Sequence, residues 1–281
     1  MNVSIVIPVY NEAACLDACL RAIAVQTVMP TEVIVVDNNS SDDTIAVARR
    51  FPFVTIMREK RQGVVHARNR GFNAARGDII GRIDADTVIA RDWVAQLQAI
   101  FADTRISAVS GAITYHDLPW QDQVGRLELY FRQRIARGMG DNVFLQGANM
   151  GLRRSAWRKT RSKVCDNGGL HEDFDLAIHV HRANLKVVFN KNLQATLSLR
   201  RFDSTMIDFW HYAWLSPKTY ALHGLHCQRH MYSVIWLVLW FYWPIKLIYR
   251  AYDPVTERMS LTKFLTSTAE IGRVNPATFV D

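Results

Sequence analysis

The chain has 281 residues, 49% apolar and 21% charged, with four cysteines. That much apolar chain supports one large α/β domain or a medium domain with an appendage, and it excludes a disordered polymer and a small disulfide scaffold. Thirty-four Lys and Arg against 26 Asp and Glu give a formal charge of +8, which admits nucleic acid, an anionic membrane or a phosphorylated substrate as partner without choosing among them.

Strand-like runs ending in polar turns alternate with helical patterns through the first half, the signature of βα units and a mostly parallel sheet. Val3 to Val9 reads as the first strand, and Ala13 to Ala24 as a helix with Leu16, Leu20 and Ile23 on one face. Glu32 to Val36 is a second strand running into Asp37-Asn38-Asn39-Ser40-Ser41-Asp42-Asp43, a turn and capping cluster, and a helix follows from Thr44 to Arg50. Phe53 to Met57 reads as a strand, His66 to Ala75 as a helix, and Ile79 to Ile83 as a strand that delivers Asp84-Ala85-Asp86 at its carboxyl end. Trp93 to Phe101 is a helix and Val109 to Tyr115 a further strand. From Trp120 to Lys163 ten basic and three acidic residues carry +7 of the net charge, which predicts a local basic surface.

The character changes after about Arg201. Met231 to Ile245 contains no charge, and Trp236, Trp240, Tyr242 and Trp243 give the run an aromatic bias. As a helix those residues span roughly 22 Å against roughly 30 Å of hydrocarbon, which is short for a full crossing. A re-entrant or interfacial helix is therefore expected, with a buried core helix as the alternative. Cys15, Cys19, Cys165 and Cys227 form no CxxC pair, so a reducing compartment and no zinc are expected. His223, His226 and His230 have helix-face spacing, yet only Cys227 stands near them to complete a metal set, so they are discounted. The first residues show no charged leader or long apolar run, which points to the cytosol.

Ligands of an open α/β sheet bind beyond the carboxyl ends of its strands. Three such places hold chemistry here: Pro8-Val9-Tyr10-Asn11-Glu12, Asp37 with its polar cluster, and Asp84-Ala85-Asp86. Neither GxGxxG after the first strand nor GxxxxGK[ST] occurs, so phosphate must be held by other means. Two carboxylates one residue apart in a strand-end turn can present oxygens to Mg²⁺ or Mn²⁺, although the same pattern also serves as a turn or helix cap. Pro8 and Tyr10 have an equally simple reading as a strand end and a packed ring.

Val6-Ile7-Pro8-Val9-Tyr10-Asn11-Glu12, Ile34 to Thr44, Ala67-Arg68-Asn69-Arg70-Gly71 and Ile83-Asp84-Ala85-Asp86-Thr87, in this order, resemble the motifs of the family 2 glycosyltransferases of GT-A fold over roughly residues 1–205. The resemblance implies that Pro8, Tyr10 and Glu12 line the nucleotide pocket, that Asp37 bonds the base, and that Arg68 borders the nucleotide. It implies that Asp84 faces the ribose and Asp86 the metal. Gln146 to Arg154 resembles the segment lining the sugar and acceptor pocket, with Gly147 and Asn149 its candidates. Glu172-Asp173 matches the acidic pair whose second member is the catalytic base; a helix cap is the simpler reading of Asp173.

One departure stands out. Many relatives place a metal-ligand histidine some 25 residues beyond the base, where this chain reads Ala195-Thr196-Leu197-Ser198-Leu199-Arg200-Arg201. Arg200 and Arg201 could grip a diphosphate instead, or form a solvated charge pair; His211, between aromatics, reads as packed. The resemblance and site logic give a GT-A-like α/β catalytic domain over 1–205 and a helical, membrane-associating region over 206–281. The expected activity is inverting transfer of one sugar from a UDP-, GDP- or dTDP-type donor to a glycan or polyprenyl-linked acceptor, with Mg²⁺ or Mn²⁺ as cofactor. The expected place is the cytoplasmic face of the cell membrane, on anionic lipid, and nucleic acid is not an expected partner because no recognisable binding motif accompanies the basic stretch. A membrane-surface scaffold that kept the fold and lost turnover is the competing reading.

Overall fold

A computed structural model of the chain describes residues 1–139, 144–166, 169–225, 239–253 and 256–261, with 232, 235, 236 and 264. Through the first hundred residues the elements are β1 (Val3–Val9), α1 (Ala13–Ala24), β2 (Glu32–Asp37), α2 (Thr44–Arg49), β3 (Val54–Arg58), α3 (Val64–Ala74), β4 (Ile79–Arg82), β5 (Val88–Ile89) and α4 (Trp93–Phe101). They are followed by β6 (Ile106–Tyr115), α5 (Gln121–Met139), β7 (Met150–Arg153), α6 (Arg154–Thr160), α7 (Glu172–Arg182) and β8 (Lys186–Leu197). A 3₁₀ turn (Arg200–Asp203), α8 (Met206–Leu222), α9 (Tyr242–Ala251), β9 (Tyr252–Asp253) and β10 (Arg258–Met259) come last. The helices and strands read from the sequence up to Tyr115 agree with these to within three residues at their ends. β5, β7 and the long β8 were not legible, because β8 is half polar and the other two are shorter than a readable alternation.

Two compact units result. The first comprises Met1–Thr114, Arg126–Asp166 and Glu172–Leu197, and the second Tyr115–Gly125, Asn167–His171 and Ser198–Asp281. The main segment of the second unit runs from Ser198, and two short segments come to it from earlier in the chain.

The first unit is built on an eight-stranded sheet of order β3-β2-β1-β4-β7-β6-β8-β5. β1 runs parallel to β2 and β4, and β2 parallel to β3. β7 is antiparallel to both β4 and β6, and β8 is antiparallel to β5. The apolar runs of the parallel strands follow from burial on both faces. Val3, Ile5, Ile7 and Val9 of β1 pack with Leu16, Leu20 and Ile23 of α1 and with Trp93, Leu97 and Phe101 of α4. Val6 points the other way, with Ile34 and Val36, onto Ala67 and Phe72 of α3 and Trp157, Leu176 and Val180. Each fully buried Leu, Ile or Val contributes about 1.5–3 kcal/mol, so this double-sided sheet is the stable platform for whatever sits at its edge. Helix α3 lies close on the sheet because residue 71 is glycine: a Cβ there would run into Val6 Cγ1 and lie 3.0 Å from Val36 Cγ2.

The second unit has a small core of Phe202, Phe209, Ile235, Leu239 and Tyr242. The Tyr242 hydroxyl donates to the Ser204 carbonyl at 2.6 Å and Lys246 Nζ donates to the same oxygen at 2.8 Å, which ties α9 to the turn before α8. In contrast Trp236, Trp240 and Trp243 are 57%, 82% and 55% exposed, so the buried-core alternative for the aromatic run holds for Tyr242 and not for these three tryptophans. Among the described residues no helix is long and apolar enough to cross a membrane. His226, Cys227 and His230 lie outside the described residues, as do positions 231, 233, 234, 237 and 238 of the uncharged run.

Candidate active site

The strand-end residues gather in the first unit because β1, β2 and β4 are parallel neighbours. Pro8 stands beside Val36, Val9 beside Asp37, and Val6 beside Arg82. The turn after β1 is laced to the cluster after β2. The Asn11 amide donates to Ser40 Oγ at 3.1 Å, Asn11 Oδ1 accepts from the Ser41 amide at 2.8 Å, and the Glu12 amide donates to Thr44 Oγ1 at 2.7 Å. Asn11 and Asn39 adopt left-handed backbone, with φ of 53° and 65°, a conformation that asparagine accepts better than most residues. Asp37 is buried, and its Oδ1 accepts from the Ser40 amide three residues on at 2.9 Å, which closes the turn. Pro8, Tyr10 and Glu12 are half-buried along this edge.

Asp84 and Asp86 follow β4, and both are buried. The turn is fixed by the Thr87 amide, which donates to the Asp84 carbonyl at 3.1 Å, and by Thr87 Oγ1, which donates to the Ala148 carbonyl at 3.2 Å. Arg82, the one charged residue of β4, joins two motifs far apart in sequence: its Nη2 lies 2.9 Å from Asp84 Oδ1 and 2.9 Å from Glu172 Oε1. Arg68 reaches Glu172 from α3, with Nη1 2.5 Å from both Oε2 and the backbone carbonyl. Both oxygens of Asp173 accept backbone hydrogen bonds at 2.9 Å, Oδ2 from the Gly147 amide and Oδ1 from the Phe174 amide. Gly147 can be nothing larger without moving Arg82, since a Cβ there would coincide with the Arg82 guanidinium. The acidic pair, the Asp84 turn and the Gly147 loop are thus one hydrogen-bonded assembly.

Two sequence candidates have placements that the residue types did not foretell. Arg68 is fully buried and faces Glu172, and its Nε and Nη2 donate to Asn69 Oδ1. Asn149 is also fully buried. Its Oδ1 accepts from Trp93 Nε1 at 2.8 Å, and its Nδ2 donates to the carbonyls of Ala112 and Leu193 at 2.8 and 2.9 Å, so it pins β6 and β8 to α4. As placed here both residues hold other groups of the site in position. Arg82 was missed as a site residue, although a lone charge within Ile79-Ile80-Gly81-Arg82-Ile83 was its signal.

The electrostatics fit a divalent cation. Asp84, Asp86, Glu172 and Asp173 against Arg68 and Arg82 leave two negative charges among six nearly buried groups. The field is visible on a neighbour: burial, and then the charges of Asp86, Asp84 and Glu12, push the Cys19 thiol well above its ordinary range. Carboxylate oxygens are the donor set that Mg²⁺ and Mn²⁺ prefer, and they are supplied on a rigid strand end. Arg200 and Arg201 belong to the second unit, in the 3₁₀ turn. Asp117 holds that turn, its carboxylate accepting from the Leu199 amide at 2.8 Å and from Ser198 Oγ at 2.5 Å, and the Arg201 guanidinium stacks 3.6 Å over the Tyr212 ring.

Comparison with known proteins agrees with this picture. The family model "Glycosyl transferase family 2" matches residues 4–161. Glycosyltransferase AglE of Haloferax volcanii is 33% identical over 120 residues, 40% of this chain and 40% of that protein. The O-antigen chain rhamnosyltransferase RfbN of Salmonella typhimurium is 26% identical over 205 residues, 67% of this chain and 64% of that one. The shared stretch therefore spans less than two thirds of either relative. A mannosyltransferase from Pyrobaculum calidifontis, solved in complex with GDP-Man and Mn²⁺, superposes with a TM-score of 0.62 at 20% identity, covering 93% of this chain and 77% of its own. With the motif residues assembled at one sheet edge, and with the family model matched over more than half its length, the chain belongs to glycosyltransferase family 2 and has a GT-A-like α/β fold.

Proposed function

We propose that this protein is an inverting glycosyltransferase that moves one sugar from a nucleotide-diphosphate donor to a hydroxyl of a glycan or polyprenyl-linked acceptor. The observation that carries the reading is the assembly of Asp173, Gly147, Glu172, Arg82 and Asp84 around one carboxylate-rich edge. Asp84 and Asp86 would hold Mg²⁺ or Mn²⁺, which supplies charge neutralisation for the departing diphosphate. The chain's own residues do the rest. The edge formed by Pro8, Tyr10, Glu12 and Asp37 receives the nucleoside. Asp173, fixed by the Gly147 and Phe174 amides, accepts the acceptor's hydroxyl proton as the new C–O bond forms and the bond to diphosphate breaks with its electron pair. The donor named with the mannosyltransferase neighbour, GDP-Man with Mn²⁺, makes guanosine diphosphate sugars the first to try.

Isothermal calorimetry with a panel of UDP-, GDP- and dTDP-sugars in Mn²⁺ and in EDTA tests the reading. Donor binding that requires the cation and disappears in Asp86→Ala supports it; equal affinity in EDTA removes the metal role. Donor hydrolysis in the absence of acceptor distinguishes an enzyme from a scaffold of the same fold. NMR of the product linkage reads the stereochemistry.

We also propose that the protein works at the cytoplasmic face of the cell membrane. The support is the exposed Trp236, Trp240 and Trp243 beside Phe241 and Leu247, which are 46% and 50% exposed, together with the basic stretch from Trp120 to Lys163. Aromatic residues of this kind suit the water–lipid boundary.

A further inference from the structure

We propose a second metal site, for a thiophilic divalent cation of the Zn²⁺ class, formed in the first unit by Cys165, Asp175 and His179. Cys165 stands in the segment after α6, and Asp175 and His179 are four residues apart on α7, on one helix face. The Cys165 sulfur, an Asp175 carboxylate oxygen and a His179 ring nitrogen all lie within 4.8 Å of one another. Ligands around tetrahedral zinc are about 3.4–3.7 Å apart, from bond lengths near 2.0–2.3 Å, so closing on an ion needs shifts of about 1 Å.

The surroundings favour an ion. Asp175 is 1% and His179 7% exposed. Asp175 Oδ2 already accepts from the Cys165 amide at 2.9 Å, and His179 Nε2 lies 3.5 Å from Asp175 Oδ1, so backbone and helix hold the three groups facing one another. Charge closes as well: a thiolate and a carboxylate neutralise a divalent ion, and a neutral imidazole adds none, so the loaded site carries no net charge into a buried place. Binding releases one proton, from the Cys165 thiol to solvent, as the sulfur–metal bond replaces the sulfur–hydrogen bond.

This site is distinct from the carboxylate edge in place and in taste. Two residues turn a helix by about 200°, so Asp175 points away from the side on which Asp173 meets Gly147. Sulfur and imidazole select against Mg²⁺, which prefers oxygen. An ion there would cross-link the segment after α6 to α7, the helix whose first turn carries Glu172 and Asp173.

The test uses the full chain, freed of metal and kept in excess Mg²⁺ to saturate oxygen sites. Co²⁺ is the probe, because a cobalt–thiolate bond gives a near-ultraviolet charge-transfer band. One equivalent of Co²⁺ should raise the band and Zn²⁺ should quench it. Cys165→Ser should abolish it, while Cys15→Ser and Cys227→Ser leave it in place. Zn²⁺ should raise the melting temperature of the parent and of Cys15→Ser but not of Cys165→Ser, whose melting in EDTA reports its fold. Absence of the band in the parent, or an undiminished band in folded Cys165→Ser, overturns the proposal.

Discussion

At the scale of single residues, the site is governed by a few atoms that have no slack. Gly147→Ala places a methyl group on the Arg82 guanidinium, so Arg82 must leave Asp84 or Glu172. Overpacking of this kind costs about 1–3 kcal/mol, and both melting temperature and turnover should fall. Glu172→Gln leaves two buried arginines, Arg68 and Arg82, short of one negative charge. Removing one member of a buried ion pair costs about 3–5 kcal/mol, which calorimetric melting will show. Asp173→Asn should cut transfer by about 10²- to 10⁴-fold with donor affinity little changed. Because both Asp173 oxygens accept amide protons and Asn offers only one oxygen, the variant should also lose about 1–3 kcal/mol of stability. Near-normal transfer by a folded Asp173→Asn protein would take the residue out of the mechanism. The carboxylates were legible in the sequence because acid types at strand ends carry their own chemistry. Arg82 and the structural bonds of Asn149 were not, since they are defined by partners 90 and 44 residues away in Glu172 and Leu193.

At the scale of elements, close packing and turn anchoring set the tolerances. Gly71 lets α3 touch the sheet, and Gly71→Ala should destabilise the protein by about 1–3 kcal/mol while leaving the strand-end turns chemically intact. Denaturant titration measures the first effect, and donor affinity of the folded fraction checks the second. In the second unit the 3₁₀ turn bearing Arg200 and Arg201 hangs on Asp117. Burial, the largest influence on that carboxyl, raises its pKa against the pull of Ser198 and Leu199. A raised folded-state value means that the folded state favours the neutral acid, so this contribution to stability is complete below the unfolded value and is lost as pH rises through the folded one. Asp117→Asn lacks the titration and should therefore gain on the parent as pH rises above the unfolded carboxyl value of about 3.9. A stability difference independent of pH would show that Asp117 titrates normally. The helices and parallel strands of the first hundred residues were legible from period and caps, whereas β8 was not, because Lys186, Asn190, Lys191 and Asn192 break its apolar alternation.

At the scale of the whole molecule, the proposed membrane contact rests on exposed aromatic surface and basic charge rather than on a crossing helix. Anionic vesicles should float the protein at low salt and release part of it at high salt, since each Lys or Arg near such a surface contributes about 1 kcal/mol and is screened within a Debye length. Replacing Trp236, Trp240 and Trp243 by Ser should abolish flotation, and replacing Trp240 alone, 82% exposed, should weaken flotation without changing melting. Full recovery in the unbound fraction at low salt would end the membrane proposal.

The βα alternation, the strand-end acids and the family resemblance can be read along the chain, because hydrophobic period, capping residues and motif order are properties of sequence neighbours. The sequence carried the reading of Asp37, Asp84, Asp86 and Asp173 as one site only through the family pattern. Tertiary structure decided what depends on distance through space: that Arg82 joins the Asp84 turn to Glu172, that Gly147 and Asp173 meet, and that Asn149 pins the sheet to α4. The proposed site of Cys165, Asp175 and His179 departs from the expectation of no zinc, which was drawn from cysteine spacing. Spacing detects ligands that share one loop, whereas Cys165 meets Asp175 and His179 only because α7 folds back against the segment that follows α6.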